Sequence, residues 1–252
     1  AGAKIYYYEL RAENKFLPDL SKIPEDILHK TRYILTSYPS NPCGAAAPKE
    51  MYVKLIEYAK KYNFYIVNDN AYSDIIFDGR EGYSFLSIPG AKEVGIEFFS
   101  LSKSFDTTGA RISFAIGNKK IIDAIKTIRS QYDFGMFLPI QYGAIAALTG
   151  ETESVKAQCA EYQRRRDALC GGFRKIGWNV PDSEGTMFVW ARIPGGRTDS
   201  MAFCMELMEK AGVIVTPGAS FGPHGEGYVR FALVLPPEKI REVVEAIRKS
   251  GI

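Results

Sequence analysis

Histidine is scarce in this chain: His29 and His224 are the only two among 252 residues. Cysteine is nearly as rare, and Cys43, Cys159, Cys170 and Cys204 are scattered with no C-x-x-C pair. Four such ligands at close, fixed spacing are what a structural zinc ion needs, so the composition argues against a metal centre. Scattered thiols fit a reducing compartment, and a cytoplasmic protein is expected. No uninterrupted apolar run is long enough to cross a bilayer, and the opening Ala-Gly-Ala-Lys-Ile-Tyr-Tyr-Tyr does not have the pattern of a signal peptide. Excess charge of one sign is also missing. Lys and Arg number 32 against 29 Asp and Glu, a formal net charge of +3. The one basic triplet, Arg164 to Arg166, lies in a helical pattern beside Glu161 and Asp167 and reads as a solvated helix face. Neither a nucleic-acid nor a membrane partner is expected. The first residue is not methionine, so the sequence reads as processed, engineered or cut from something longer.

What is present is ordinary globular material, 46% hydrophobic and 24% charged, enough for one large core or two modest ones. Short β-rich runs are expected at Lys4–Leu10, Arg32–Thr36, Phe64–Val67, Ile96–Phe99 and Ile112–Ile116. A helix is expected over Lys49–Tyr62, where Met51, Leu55, Ile56 and Ala59 keep a helical period. Alternation of strand and helix, with polar residues gathered where strands stop, predicts an α/β architecture whose ligands collect beyond the strand ends. After Lys119 the pattern changes. Helices are expected at Lys119–Arg129, Pro139–Thr149 and, as one long element, Glu151–Ile176. Strands at Trp178–Val180, Phe188–Arg192, Val213–Thr216 and Tyr228–Leu233, with helices at Ser200–Ala211 and Pro237–Lys249, then predict a smaller α+β unit. The border is expected near Gly150, giving domains 1–150 and 151–252.

Ser100-Leu101-Ser102-Lys103, with Arg111 shortly after, is the most informative stretch. It sets a lysine after an apolar run, among hydroxyls and near a second cation. Such a lysine can serve as an amine nucleophile toward a carbonyl, and the hydroxyls and guanidinium suit a phosphate. A surface lysine in a polar loop would look the same in isolation. Three more features fall at strand ends or in strands. Asp69 could set a buried carboxylate against a protonated ring nitrogen. Asn41, in N-P-C-G, and Tyr72 could donate to a ring oxygen. Arg230, in Y-V-R-F, has the planar fork that grips a carboxylate. Each has a plainer reading: Asp69 and Asn41 as turn caps, Tyr72 as one of 15 tyrosines, Arg230 as a surface residue.

Taken jointly and in this order, these segments resemble the fold-type I, class I/II pyridoxal-phosphate aminotransferases, from Ala1 to the C-terminus. S-Y-P-S-N-P-C-G is similar to the family's N-P-x-G turn, N-D-N-A-Y-S-D to its aspartate and tyrosine segment, and S-L-S-K-S-F-D-T-T-G-A-R to its Schiff-base signature. The resemblance implies a large mixed-sheet α/β/α domain followed by a smaller α+β domain. It implies pyridoxal 5'-phosphate as cofactor, with Lys103 as the catalytic aldimine lysine. Asn41, Asp69, Tyr72, Ser100, Ser102, Lys103 and Arg111 would hold the cofactor, and Asn41 and Arg230 the substrate. The implied reaction moves an amino group between an L-amino acid and a 2-oxo acid, in a protein that pairs as a homodimer. F-D-G-x-x-x-x-S-F-L and the run into S-L-S-K are most similar to the branch of LL-diaminopimelate, aspartate and alanine aminotransferases.

Members of that family are longer at the N-terminus. The resemblance therefore implies that a phosphate-gripping glycine/serine turn, its helix start and a ring-stacking aromatic lie outside this sequence, and that a sheet edge is exposed where those segments would pair. Cys43 stands where threonine is usual, Ala110 replaces a bulky aromatic, and Ser113 stands where glycine is frequent. Two other readings share the constellation: a C–S lyase of the same fold, and a truncated or non-catalytic aminotransferase-like domain.

Overall fold

The computed structural model describes residues 2–133 and 135–252. In chain order its elements are α1 (Glu25–Lys30), β1 (Tyr33–Ser37), α2 (Lys49–Tyr62), β2 (Tyr65–Asp69), α3 (Ala91–Val94), β3 (Gly95–Ser100), α4 (Leu101–Ser104), β4 (Ser113–Gly117), α5 (Lys119–Tyr132), α6 (Leu138–Thr149), α7 (Glu153–Lys175), β5 (Phe188–Arg192), α8 (Ser200–Ala211), β6 (Thr216–Pro217), β7 (Tyr228–Ala232) and α9 (Pro237–Ser250). They form an α/β protein of two compact units. One comprises Ala1–Pro39, Ala46–Asp74 and Glu81–Val155; the other comprises Ser40–Ala45, Ile75–Arg80 and Lys156–Ile252.

The first unit is built on a sheet of order β1-β2-β3-β4. β1 and β3 both run parallel to β2, and β4 returns antiparallel to β3. In β1, Ile34 and Thr36 are buried while Tyr33 and Leu35 are exposed, the period of two expected of a pleated strand. α2 buries Met51, Tyr52, Leu55, Ile56, Ala59 and Tyr62, a single stripe at helical spacing. It stops at Asn63, whose left-handed backbone (φ 57°) closes the last turn. The three parallel strands all run toward one sheet edge, where they finish at Ser37, Asp69 and Ser100. Ser113, the first residue of β4, pairs with Ser100 at that edge.

The second unit carries an antiparallel sheet of order β5-β7-β6. Its core joins Leu169 and Phe173 of α7, Trp178, Val189, Leu207 of α8, Phe231 and Ile247 of α9. Phe173 packs 4.5 Å from Trp178 and 5.0 Å from Phe231, ring centre to centre. Arg166 is buried within this unit: it donates to Asp78 (3.0 and 2.5 Å), Asp167 (2.6 Å) and the Ser183 carbonyl (2.7 Å). A buried guanidinium is tolerable only when its donors are satisfied in this way.

The solvated face expected at Arg164–Arg166 fails at Arg166, whose guanidinium is buried against Asp78 and the Ser183 carbonyl. Three expected strands also fail. Lys4–Leu10 forms no strand: it has no ladder partner, Ile5 and Tyr7 stay exposed, and Tyr8 instead donates its hydroxyl to the Leu35 carbonyl at 2.8 Å. Trp178 and Val180 are buried but the run is irregular, because its backbone groups are taken outside any ladder: the Trp178 N–H donates to the Phe173 carbonyl at 2.9 Å. Arg174 donates to the Val180 carbonyl at 2.9 Å. Val213 is consumed by the end of α8, its N–H meeting the Leu207 carbonyl at 3.2 Å beyond left-handed Gly212. Of that run only Thr216 pairs with β7, followed by Pro217 just beyond it.

Candidate active site

In the first unit, strand direction brings the chemically loaded residues to one sheet edge. Asp69 is the last residue of β2 and stands opposite Phe98 of β3. Ser100 ends β3 two residues further along, which at ordinary strand spacing sets its Cα about 8 Å from that of Asp69. The chain then turns straight into α4, so Lys103 follows within one helical turn. Ser100 caps this short helix, its hydroxyl oxygen accepting from the Ser102 N–H at 3.2 Å. The Thr107 and Thr108 hydroxyls donate to the carbonyls of Leu101 (3.0 Å) and Ser102 (3.2 Å), tying the next loop back onto α4. Arg111, with φ 52°, lies two residues before β4 re-enters the sheet opposite Ser100. Its Nη1 donates to the Thr108 carbonyl at 3.2 Å.

Asp69 is exposed, where the sequence predicts a buried carboxylate. One of its oxygens accepts from the Ala71 N–H at 3.1 Å, the turn that Asp commonly makes at a strand end. Tyr72 and Ser102 are buried, and Lys103 is half-buried. Asp74 follows on the same loop and accepts hydrogen bonds from Ser73 (2.9 Å) and from Ser104 of α4, so the Asp69 loop and the Lys103 helix are tied together.

In the second unit, Asn41 and Arg230 meet directly. Arg230 Nη1 donates to Asn41 Oδ1 at 2.8 Å, and Nη2 donates to the Thr216 hydroxyl at 3.3 Å. Its guanidinium lies over the Phe188 ring, 4.0 Å from its centre, and 4.7 Å from that of Phe221. Asn41 is fixed by its turn. Gly44 donates to the Ser40 carbonyl at 2.7 Å and accepts from Glu184 and Gly185 at 2.8 and 3.0 Å. Gly44 has φ 69°, and a Cβ there would stand 2.5 Å from that of Ser183, so the glycine of N-P-C-G is required twice over. Cys43 in the same turn has its thiol pushed up to about 12 by burial, which keeps it protonated.

Thr216, Phe188 and Phe221 escape sequence reasoning. Thr216 is aligned with Arg230 by the β6–β7 register, and Trp190 is the β5 residue opposite Arg230, which puts Phe188 on the same face two residues away. No local spacing announces either pairing. Among the described residues there is no cluster of His, Cys, Asp and Glu able to hold a metal ion, and no helix is long and apolar enough to cross a membrane.

The residues at the first sheet edge form a donor set that fits pyridoxal phosphate: an amine for the aldehyde, a carboxylate for the pyridine nitrogen, and two hydroxyls with a guanidinium for the phosphate. Comparison with known proteins agrees. The description "Aminotransferase class I and II" matches residues 1–247. LL-diaminopimelate aminotransferase of Dehalococcoides mccartyi is 46% identical over 242 residues, 96% of this chain and 62% of that protein. The enzyme of the same name from Halothermothrix orenii is 44% identical over 252 residues, 100% of this chain and 64% of its own length. The apo structure of BacF from Bacillus subtilis superposes with a TM-score of 0.95 at 38% identity, covering 99% of this chain and 63% of that one. The chain thus spans less than two thirds of the length of these relatives. It belongs to the class I and II aminotransferase family, pyridoxal-phosphate enzymes of fold type I.

Proposed function

We propose that the protein is a pyridoxal-phosphate-dependent aminotransferase, and that its amino donor is LL-diaminopimelate or a close analogue. The observation that carries this reading is the single sheet edge bearing Asp69, Ser100, Ser102, Lys103 and Arg111. The 40–46% identity to LL-diaminopimelate aminotransferases supports the donor. Residues 1–150 would form the cofactor-holding domain and 151–252 the smaller one. A cytoplasmic homodimer acting on an amino acid and a 2-oxo acid completes the proposal.

Pyridoxal phosphate, when bound, supplies an electron sink for the carbanion formed at the substrate's Cα. The remaining roles belong to the chain. Lys103 Nζ would take the Cα proton as general base and deliver it to the carbon of the cofactor's aldehyde group, on the far side of the transferred nitrogen. The Asp69 carboxylate holds a proton on the ring nitrogen by its charge. Ser100, Ser102 and Arg111 bind the phosphate, Arg111 by charge and the serines by their hydroxyl protons. Asn41 uses its Oδ1 to receive Arg230, which leaves Nδ2 as its donor toward the substrate or cofactor. The Tyr72 hydroxyl is the donor proposed for the ring oxygen. Arg230 holds the substrate carboxylate, which orients the Cα–H bond.

Amino transfer from LL-diaminopimelate to a 2-oxo acid, measured with purified protein and pyridoxal phosphate, tests this. Transfer that is lost in Lys103→Ala supports it. Release of pyruvate and ammonia from a cysteine conjugate without any acceptor would assign a C–S lyase instead. Full turnover by Lys103→Ala would remove the lysine from the mechanism.

A further inference from the structure

Glu97 is fully buried, yet it lies in the middle of β3 with no cation beside it among its recorded partners. A carboxylate in that position needs donors on every side. It has five. Oε1 accepts from Asn68 Nδ2 at 2.8 Å, from Asn70 Nδ2 at 2.9 Å and from the Phe85 N–H at 3.1 Å. Oε2 accepts from the Leu86 N–H at 3.2 Å and from the Ser84 hydroxyl. Asn68 is held from its other end, its Oδ1 accepting from the Thr36 hydroxyl at 2.7 Å.

The two asparagines are the residues on either side of Asp69. Side chains alternate along a strand, so Asn68 and Asn70 turn inward together while Asp69 turns the opposite way. One oxygen, Glu97 Oε1, therefore grips both flanks of Asp69 from beneath the sheet. The backbone is tied at the same place: Asn70 N–H donates to the Phe98 carbonyl at 2.9 Å, and Tyr38 N–H donates to the Asp69 carbonyl at 3.2 Å. The remaining amide atom of Asn70, Oδ1, is buried and accepts no hydrogen bond from the described residues. A residue kept only to fill space there would be apolar.

We propose that Glu97, acting through Asn70 and Asn68, is a positioning residue for the Asp69 carboxylate. Its oxygen fixes the backbone on both sides of Asp69, and so fixes where that carboxylate points at the sheet edge. The proposal rests on the reading of Asp69 as partner of the cofactor's ring nitrogen, but its mechanical half can be measured without the cofactor. The Ala71 N–H donates to an Asp69 oxygen, so hydrogen exchange at Ala71 reports the carboxylate's position directly.

The test compares wild type, Asn70→Ala, Glu97→Gln and Asp69→Ala. Asn70→Ala removes one donor and leaves Glu97 held by Asn68, Ser84, Phe85 and Leu86, so it keeps the fold should Glu97→Gln lose it. In the protein without cofactor, protection at Ala71 should fall about five- to tenfold in Asn70→Ala, approaching the Asp69→Ala value, while protection in β7 is unchanged. With pyridoxal phosphate added, the midpoint of the pH titration of the visible absorbance should move toward that of Asp69→Ala. The double variant Asn70→Ala/Asp69→Ala should move no further than Asp69→Ala alone. Wild-type protection at Ala71 in Asn70→Ala overturns the proposal, as does an additive double variant. Should wild type develop no visible absorbance at all, the cofactor reading fails, and the exchange experiment still decides whether Glu97 positions Asp69.

Discussion

Lys103 acquires its surroundings from the turn it sits in. A lysine in α4 directly after β3 has two serines of its own signature beside it and Arg111 returned to the same sheet edge. Those neighbours were legible in the sequence because they are local. Arg230 is the opposite case: its fork is engaged by Asn41 and Thr216 and backed by the Phe188 and Phe221 rings, none of which its own strand announces. Lysine cannot reproduce a planar fork with two Nη donors. Under the proposed function, Arg230→Lys should raise the KM for the amino acid about ten- to a hundredfold, the loss of one bidentate charge-assisted contact, with a smaller change in kcat. Steady-state kinetics checks this, and an unchanged KM would remove Arg230 from carboxylate binding.

Elements were legible to the extent that their signals were local. α2, β5 and α8 fall on the residues that periodicity and turn chemistry predict. Strands whose backbone groups are claimed by side chains, as at Trp178–Val180, or by a helix cap, as at Val213, could not be told from true ladders, since propensity says nothing of who takes the hydrogen bonds. The N-P-C-G turn is the element on which Asn41 depends. Gly44→Ala would force a left-handed backbone and a 2.5 Å contact with Ser183, costing about 2 kcal/mol or more. Chemical denaturation should show that loss. A variant as stable as wild type would mean that the turn relaxes freely.

At the scale of the whole molecule, the sequence conveyed the α/β class and the order of the motifs. It did not convey the way short segments enter the second unit. Ile75–Arg80 belongs there partly through Asp78, whose carboxyl is held below its usual range, chiefly by the hydrogen bonds from Arg166. A carboxyl lowered on folding contributes stability that is complete above its unfolded value, about 3.9, and is lost as pH falls through the folded value. Acidification below about pH 4 should therefore weaken the second unit, and Asp78→Asn should flatten that part of the stability profile. An acid limb identical in Asp78→Asn and wild type would contradict the pairing. On the first unit's sheet, Tyr33, Leu35 and Ile116 remain exposed, and more than a third of the length of the relatives lies outside the part matched here. Under the proposed function, Lys103 binds the aldehyde of pyridoxal phosphate. Borohydride reduction of the protein with pyridoxal phosphate, followed by tryptic mapping, tests it most directly. The label should block cleavage after Lys103 and appear on one peptide, Glu93 to Arg111. Label on another lysine, with Lys103 still cleaved, would contradict it.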